Sequence, residues 1–206
     1  MPEKNNQRTR LTRMLLKNSL IELLHKKPVY QITVSELCDT AELNRSTFYK
    51  YYGNVQDILQ ELKDETLFKS SQCMQEMETA GVINGEEPLC RLLYDIKENR
   101  EIYRLLLDNS VNEDFPVEML KETVNFFKLK VGSALNSNQL SDYIFKYVIS
   151  GCISVIQHWV SGPMTETPEE ISRLIYSISV SILDHTHMLP QDSAATGVKA
   201  SGRSSG

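Results

Sequence analysis

Apolar residues along most of the chain recur every three or four positions, the spacing of one face of an α-helix. Few stretches alternate between apolar and polar residues, the pattern typical of a half-buried strand. The first helix is predicted over residues 8–27, and Pro28 ends it. Its apolar positions are Leu16, Leu20, Leu23 and Leu24. The chain is therefore predicted to be all-α, with about nine helices.

Capping signals divide the next segment into two short helices. Thr33 and Glu36 have the spacing of a capping box, in which a hydroxyl and a carboxylate satisfy backbone N–H groups at a helix start. A second cap at Asn44 begins a short helix over residues 45–52, and Gly53 follows where a left-handed residue often ends a helix. Two short helices close together inside a unit of three helices are the plan of a helix-turn-helix.

The rest of the chain predicts a C-terminal helical bundle. A long helix is expected from Asn54 to near Glu78, and residues 80–88 then form the clearest break in the pattern. Residues 140–160 are apolar on almost every side, as expected for a helix buried on more than one side. Thr167, followed by a proline and then by a glutamate at the third helical position, begins the last predicted helix.

Charge is distributed unevenly along the chain. The net charge of −5 argues on its own against a nucleic-acid partner. Residues 1–63, however, carry ten Lys or Arg against seven Asp or Glu, while the remainder carries twelve against twenty. This asymmetry favours an N-terminal segment that meets phosphate, although a solvated charged face gives the same pattern.

Several classes of protein are disfavoured by motifs that the sequence lacks. The four cysteines are scattered without a CxxC pair, which predicts reduced thiols in a cytoplasmic protein rather than a disulfide framework or a zinc site. No apolar run reaches the roughly 18 residues of a membrane span. The sequence has no glycine-rich phosphate loop, HExxH or GxSxG motif. We therefore expect no enzymatic activity, no cofactor, no metal and no membrane partner.

The second short helix separates apolar from polar side chains. At 100° per residue, Phe48 and Tyr52 fall on one side, where they can pack on the helix before them. Ser46 and Lys50 point to the opposite side, and Arg45 is among the residues that flank them. A helix that lies in a major groove needs this division, because apolar side chains fix its tilt while donors face the bases.

Residues 33–52, TVSELCDTAELNRSTFYKYY, resemble the DNA-binding signature of the TetR family of regulators, and the resemblance extends over about residues 8–60. It implies that Arg45 and Ser46 lie near bases. It also implies that Thr33, Thr47, Tyr49 and Tyr51 lie near phosphates or flanking bases. Lys50 joins this set from its outward position on the helix.

Two positions depart from the family pattern. The turn usually has glycine where this chain has Glu42, which predicts either a different turn geometry or a non-glycine residue in the left-handed region. The family commonly has a phosphate-binding lysine where this chain has Val55. Arg8, Arg10 or Lys17 is expected to compensate for that missing contact.

The second half resembles, more loosely, a C-terminal domain found in a subset of this family, which includes regulators of dihydroxyacetone metabolism that answer to a partner protein. The resemblance implies a dimer in which the last two helices of each copy form a four-helix bundle. The predicted interface residues are Ile149, Ile153, Ile156, Ile175, Ile178 and Ile182. Aromatic and Met residues could line an effector pocket, with core packing as the alternative for each of them. The candidates are Met77, Tyr94, Tyr103, Phe127, Tyr147 and Trp159.

Three segments follow from these patterns. Residues 1–60 are predicted to form the DNA-binding domain, residues 61–190 the effector-binding and dimerisation domain, and residues 191–206 a disordered tail. The predicted function is a dimeric regulator that binds a near-palindromic operator in double-stranded DNA and answers to an unknown small molecule or partner protein. A helical protein-interaction adaptor, or a partner-controlled co-activator, is the alternative.

Overall fold

A computed structural model describes residues 2–108, 114–131 and 139–186 of the chain. These ranges contain nine α-helices, a short 3₁₀ turn at Val29–Gln31 and no strand, which confirms the all-α prediction. The predicted tail at residues 191–206 lies outside them. The helices are α1 (Pro2–Leu24), α2 (Val34–Thr40), α3 (Arg45–Phe48), α4 (Val55–Asn84), α5 (Glu86–Glu98), α6 (Arg100–Leu107), α7 (Asp114–Val131), α8 (Gln139–Ser161) and α9 (Pro168–His185).

The first three helices and the start of α4 share one hydrophobic core. Its most deeply buried side chains are Leu16, Leu20, Leu37, Phe48 and Ile58, all without exposed surface. Each such side chain contributes about 1.5–3 kcal/mol to folding, so this small unit has a substantial core of its own. The boundary near residue 60 stays a prediction, because α4 continues through it without interruption.

The helix ends show which capping predictions were correct. Thr33 Oγ1 accepts the Glu36 N–H at 3.2 Å, but the Glu36 carboxylate accepts from Lys27 Nζ at 2.6 Å instead of completing a capping box. That lysine also lowers the pKa of Glu36. The left-handed conformation predicted for Gly53 is wrong, since the only described glycine with positive φ is Gly81. The N–H of Gly53 donates to Asp57 Oδ2 at 2.7 Å, which leads the chain directly into α4.

Helix α4 connects the two halves of the molecule. Its first turn has a capping box, in which Asn54 Oδ1 accepts the Asp57 N–H at 3.1 Å and Asp57 Oδ2 accepts the Asn54 N–H at 3.1 Å. The regular helix then continues as far as Gly81, where φ is 71° and the helical path is broken. At 1.5 Å per residue this stretch is about 39 Å long, enough to reach from the first core into the second.

The second core lies among α4 to α9. Helix α5 packs on α4 and α9, and α7 packs on α8. Leu93, Phe115 and Val160 have no exposed surface there. The capping box at Thr167 is also present, because its hydroxyl accepts the Glu170 N–H and its own N–H donates to the Glu170 carboxylate. No helix in the described ranges is both long and apolar enough to cross a membrane.

Candidate nucleic-acid interface

Helix α3 continues beyond its last regular residue as a tightened turn. The backbone hydrogen bond from Tyr51 N–H to Phe48 O, at 2.9 Å, spans three residues instead of four. Tyr52 N–H also donates to Phe48 O, at 3.1 Å, so hydrogen-bonded turns continue to residue 52. The regular helix, however, ends at Phe48 and is shorter than the predicted helix over residues 45–52. The side chain of Asn44 makes no capping hydrogen bond. Its backbone carbonyl instead accepts the Thr47 N–H at 2.8 Å.

The apolar side of this segment is buried, as predicted. Phe48 has no exposed surface and Tyr52 is 5% exposed, and their ring centroids lie 6.0 Å apart. The guanidinium of Arg13 on α1 lies over the Tyr52 ring, with Cζ 5.6 Å from its centroid, within the range of a cation–π contact. Burial raises the pKa of Tyr52, which keeps the phenol neutral. These contacts fix the tilt of α3 against α1.

The polar side of the segment is open. Arg45, Ser46, Tyr49 and Lys50 are exposed, and Thr47 and Tyr51 are half-buried. Thr33 is also exposed and lies at the start of α2. The structure therefore places all seven predicted DNA-contact residues on or beside α3 and at the N-terminal end of α2. Their roles on DNA stay predictions.

Two contacts hold this polar side in place, and both involve residues that the sequence analysis did not select. Arg45 Nη2 donates a short hydrogen bond to Ser35 Oγ on α2, and Thr9 Oγ1 lies 3.5 Å from Tyr51 Oη. Ser35 is two residues beyond the cap of α2, and α2 packs against α3. The position of Ser35 two residues after the cap of α2 was the one sequence signal for this contact. The contact itself depends on the distance between α2 and α3, which cannot be read from sequence.

The turn between α2 and α3 has a left-handed residue that is not glycine. Glu42 has φ of 53°, which confirms one of the two predicted alternatives. Leu43 N–H donates to Cys38 O at 2.9 Å, and Glu42 N–H donates to Asp39 O at 3.3 Å. This pair of bonds is the Schellman motif, whose left-handed position usually holds glycine. Leu43 and Cys38 both contact the first core, so burial holds the turn in this conformation.

The basic residues expected to compensate at position 55 are not equivalent. Val55 is 6% exposed and packs in the first core. Lys17 is bound to two carboxylates of α4, with Nζ 2.7 Å from Glu61 Oε1 and 2.6 Å from Glu65 Oε1. These ion pairs disfavour Lys17 as the compensating residue, although its role on DNA stays a prediction. Arg8 and Arg10, which are exposed on the turn of α1 beside Thr9, remain the candidates.

The predicted effector-pocket residues are distributed over different parts of the C-terminal half. Tyr103 is 2% exposed, and its hydroxyl donates to Asp95 Oδ2 at 2.8 Å. Trp159 is 3% exposed, and its indole N–H donates to Glu166 O at 3.1 Å. Met77 packs at the edge of the second core. The structure does not gather these side chains around a shared cavity.

Two other pocket candidates lie at the surface. Tyr94 is exposed and donates a short hydrogen bond to the Glu169 carboxylate. Tyr147 is 71% exposed. The side chain of Phe127 lies outside the described part of the structure.

The predicted interface isoleucines fall into two groups. Ile149, Ile153, Ile156 and Ile175 are buried within the second core, and Ile175 also lines the groove described next. Ile178 is 51% exposed and Ile182 is partly exposed, and both line a groove of about 670 Å³ between α8 and α9. Other exposed apolar side chains of this groove are Tyr143, Tyr147 and Leu174. The structure thus presents an apolar face at the predicted helices, with only part of the predicted set on it.

The C-terminal half of the chain is similar to a known family of proteins. Residues 84–180 match the family model described as a transcriptional regulator C-terminal region, TetR_C_8. They follow the helix-turn-helix at residues 33–52 along the chain. The C-terminal half of the chain thus matches the C-terminal region of TetR-type transcriptional regulators. This confirms the resemblance found in the sequence.

Two proteins with related sequences carry the names of transcriptional regulators. The uncharacterised HTH-type transcriptional regulator YxbF of Bacillus subtilis is 18% identical over 168 residues, which are 79% of this chain and 43% of YxbF. The dhaKLM operon transcriptional activator DhaS of Lactococcus lactis is 22% identical over 147 residues, 69% of this chain and 76% of DhaS. The chain thus spans less than half the length of the first relative.

Solved TetR structures share the fold. A dihydroxyacetone kinase operon activator DhaS superposes with a TM-score of 0.57 at 18% identity, covering 87% of this chain and 98% of that one. A TetR regulator from Streptococcus agalactiae superposes with a TM-score of 0.59 at 19% identity, covering 87% and 99%. At these identities the likeness establishes a common architecture and nothing about ligands.

Proposed function

We propose that two copies of the chain bind a near-palindromic operator in duplex DNA, each placing the segment at residues 45–52 in a major groove. The observation that carries this proposal is the division of that segment: Phe48 and Tyr52 are buried while its N-terminal polar side chains are exposed. A major groove admits one helix, and the side chains near the helix N-terminus contact the base edges.

The exposed residues match the chemistry of this contact. Arg45 can form a bidentate pair with guanine, and its hydrogen bond to Ser35 holds the guanidinium near the helix start before DNA arrives. Ser46 and Thr47 are short, so the backbone can approach the groove closely. The hydroxyls of Tyr49 and Tyr51 are donors suited to phosphate oxygens. Lys50 within this segment and Thr33 at the start of α2 are also exposed, and both are suited to the same backbone contacts.

The dimer is proposed to form through the groove between α8 and α9. Tyr143, Tyr147, Leu174 and Ile178 expose between 45% and 72% of their surface there, and they form one patch rather than scattered single residues. Two copies related by a two-fold axis would bury the same face of each and create a four-helix bundle. The buried isoleucines behind this face would hold the two helices in register.

Control by an effector is proposed to act through the C-terminal half, in residues 89–188, with a small molecule or a partner protein as the effector. An effector changes DNA affinity only if it binds one arrangement of the two recognition segments better than another. The direction of control stays open, since the relative DhaS is named an activator while the Thermus thermophilus FadR, similar in fold, is named a repressor in complex with lauroyl-CoA.

Selection from random duplexes tests the proposal with no assumption about the operator sequence. The full chain is incubated with a library of duplex DNA, and the enriched duplex is used in a mobility shift with measurement of the complex mass. We expect enrichment of an inverted repeat whose half-site centres are about 34–36 Å apart, bound by two chains. Failure to enrich any duplex would instead favour the protein-interaction adaptor.

A further inference from the structure

Helix α6 lies between the two hydrophobic cores. Leu106 and Leu107 point into the core of the C-terminal half. Leu105 is 6% exposed and belongs to the core of α1, α2, α3 and the start of α4. Ile102 packs against both cores. One short helix therefore contacts the helix-turn-helix unit on one side and the C-terminal bundle on the other.

The beginning of α6 is attached to the end of α8. Arg100, the first residue of α6, donates from Nε to Val160 O at 3.1 Å and from Nη2 to Gly162 O at 2.6 Å. Helix α8 ends at Ser161, and the last carbonyls of a helix have no partner inside it. The charged guanidinium satisfies two carbonyls at this end at once, with a geometry that a single-point donor cannot reproduce.

The end of α6 is attached to α8 as well. Gln157 Nε2 on α8 donates to the carbonyl of Leu107, the last residue of α6, at 2.9 Å. With Arg100 at the other end, α6 is held to α8 at both of its ends. A helix attached at both ends can neither slide along its neighbour nor pivot about a single point. We call the Arg100 and Gln157 contacts the α6 clamp.

The opposite side of α6 contacts the end of α1. Glu101 Oε2 lies 3.1 Å from His25 Nε2, and His25 directly follows α1. Leu105, one turn further along α6, inserts into the core that α1 shares with α2 and α3. A continuous series of packed contacts therefore runs from α8 through α6 to the unit that carries residues 45–52.

We propose that the α6 clamp sets the orientation of the helix-turn-helix unit relative to α8, which makes Arg100 and Gln157 positioning residues for DNA binding. The inference rests on the proposed function, because orientation matters only if two copies must match two half-sites. Helix α8 also carries Tyr143 and Tyr147 on the face proposed for dimerisation. In the dimer, each helix-turn-helix unit would be fixed to its own α8. The distance and the angle between the two units would therefore be set by the packing of the two α8 helices.

The test uses Arg100→Gln and Gln157→Leu in the full chain, with the duplex enriched by the wild-type protein as the probe. Three sets of duplexes are compared: the full site, a single half-site, and sites whose half-sites are moved by one or two base pairs. We expect each variant to lose about tenfold affinity for the full site and to discriminate less among spacings. Affinity for the single half-site should stay that of the wild type, because the recognition segment itself is unchanged.

Two further variants separate positioning from simple stability. Arg91→Gln makes the same chemical change on α5, where the arginine is exposed and pairs with Glu76 and Glu87, and it should leave the spacing preference unchanged. Arg100→Lys keeps the charge but not the two-pronged geometry, so it should fall between the wild type and Arg100→Gln. If Arg100→Gln does not fold, Gln157→Leu decides the matter alone, because it removes one neutral hydrogen bond.

The outcomes are distinguishable from failure of the proposed function. A wild-type chain that enriches no duplex refutes DNA binding and with it the need for a clamp. The second outcome is that the wild-type chain binds an inverted repeat, while the variants melt earlier but keep their full-site affinity and spacing preference. That result would overturn the positioning role of the α6 clamp and would leave the DNA-binding proposal intact. Loss of half-site affinity in the variants would also overturn that role, because the effect would then lie in the recognition segment.

Discussion

Replacing Glu42 by glycine should stabilise the protein. Glu42 adopts φ of 53° in the turn between α2 and α3, a conformation that costs an L-residue about 1–2 kcal/mol because Cβ approaches the neighbouring carbonyl. Its side chain is exposed, and within the described residues it makes no hydrogen bond or ion pair that the substitution would remove. Relief of the backbone strain is therefore the main effect expected in the folded state.

The greater backbone entropy of glycine in the unfolded chain offsets part of this stabilisation. Glycine has more backbone freedom to lose on folding, which costs about 0.5–1 kcal/mol relative to alanine. The difference leaves a net stabilisation of about 0.5–1 kcal/mol for Glu42→Gly. For a chain of this size, such a change raises the melting temperature by about 2 °C.

Urea denaturation followed by circular dichroism measures this effect, with Glu42→Ala as the matched control. Alanine removes the same charge but keeps Cβ, so it should be no more stable than the wild type. Glu42→Asn should fall between the two, because asparagine tolerates the left-handed region better than glutamate does. Equal stabilisation by Ala and Gly would show that removal of charge, not backbone strain, is responsible, and would refute the reasoning.

Two other predictions concern the C-terminal half. Ile178→Glu should convert the proposed dimer to a folded monomer in sedimentation, because it would bury an unpaired charge in the proposed interface. Ser177→Glu, at a position that is exposed but does not line the groove, should stay dimeric, and a dimeric Ile178→Glu would move the interface elsewhere. Burial raises the pKa of the Cys73 thiol to about 12, so at pH 8 very little of this cysteine is in the reactive thiolate form. Iodoacetamide should therefore alkylate the half-buried Cys90 faster than Cys73 in the folded protein, and equal rates by mass spectrometry would contradict the burial of Cys73.

Local signals in the sequence predicted most of the secondary structure. The pairs Asn54–Asp57 and Thr167–Glu170 form capping boxes because both partners lie within four residues and the carboxylate stays with its own helix start. Thr33 and Glu36 have similar spacing, yet Lys27 withdraws the carboxylate across a gap of nine residues. The capping box predicted at Thr33 is therefore absent because of a tertiary contact, and a local sequence motif carries no information about such a contact.

The predictions for the C-terminal half were limited by a similar problem. An all-round apolar pattern indicates that a helix is buried, but it does not distinguish the side facing its own core from the side facing a second copy. Ile153 and Ile178 look alike in sequence, and only the packing of α5 and α7 against α8 and α9 separates them. Likewise, the hydroxyl of Tyr103 and the indole N–H of Trp159 donate hydrogen bonds to polar partners inside the fold, and no rule of sequence spacing identifies those partners.

The division of the recognition segment, by contrast, was correctly predicted from helical periodicity alone. Phe48 and Tyr52 are local to one another, and the same four-residue spacing that pairs them directs the polar residues outward. The contact of Arg45 with Ser35 adds a restraint that periodicity cannot supply.

Base preference in the variants Arg45→Ala and Tyr49→Phe tests the central claim most directly. Binding of each variant to the selected duplex and to its single-base substitutions is measured by fluorescence anisotropy at one fixed salt concentration. We expect Arg45→Ala to cost about 1–3 kcal/mol and to lose the preference at one base position per half-site. Tyr49→Phe should weaken all duplexes alike, because a phosphate contact has no sequence preference. Unchanged affinity and unchanged base preference in Arg45→Ala would contradict recognition of DNA through this segment.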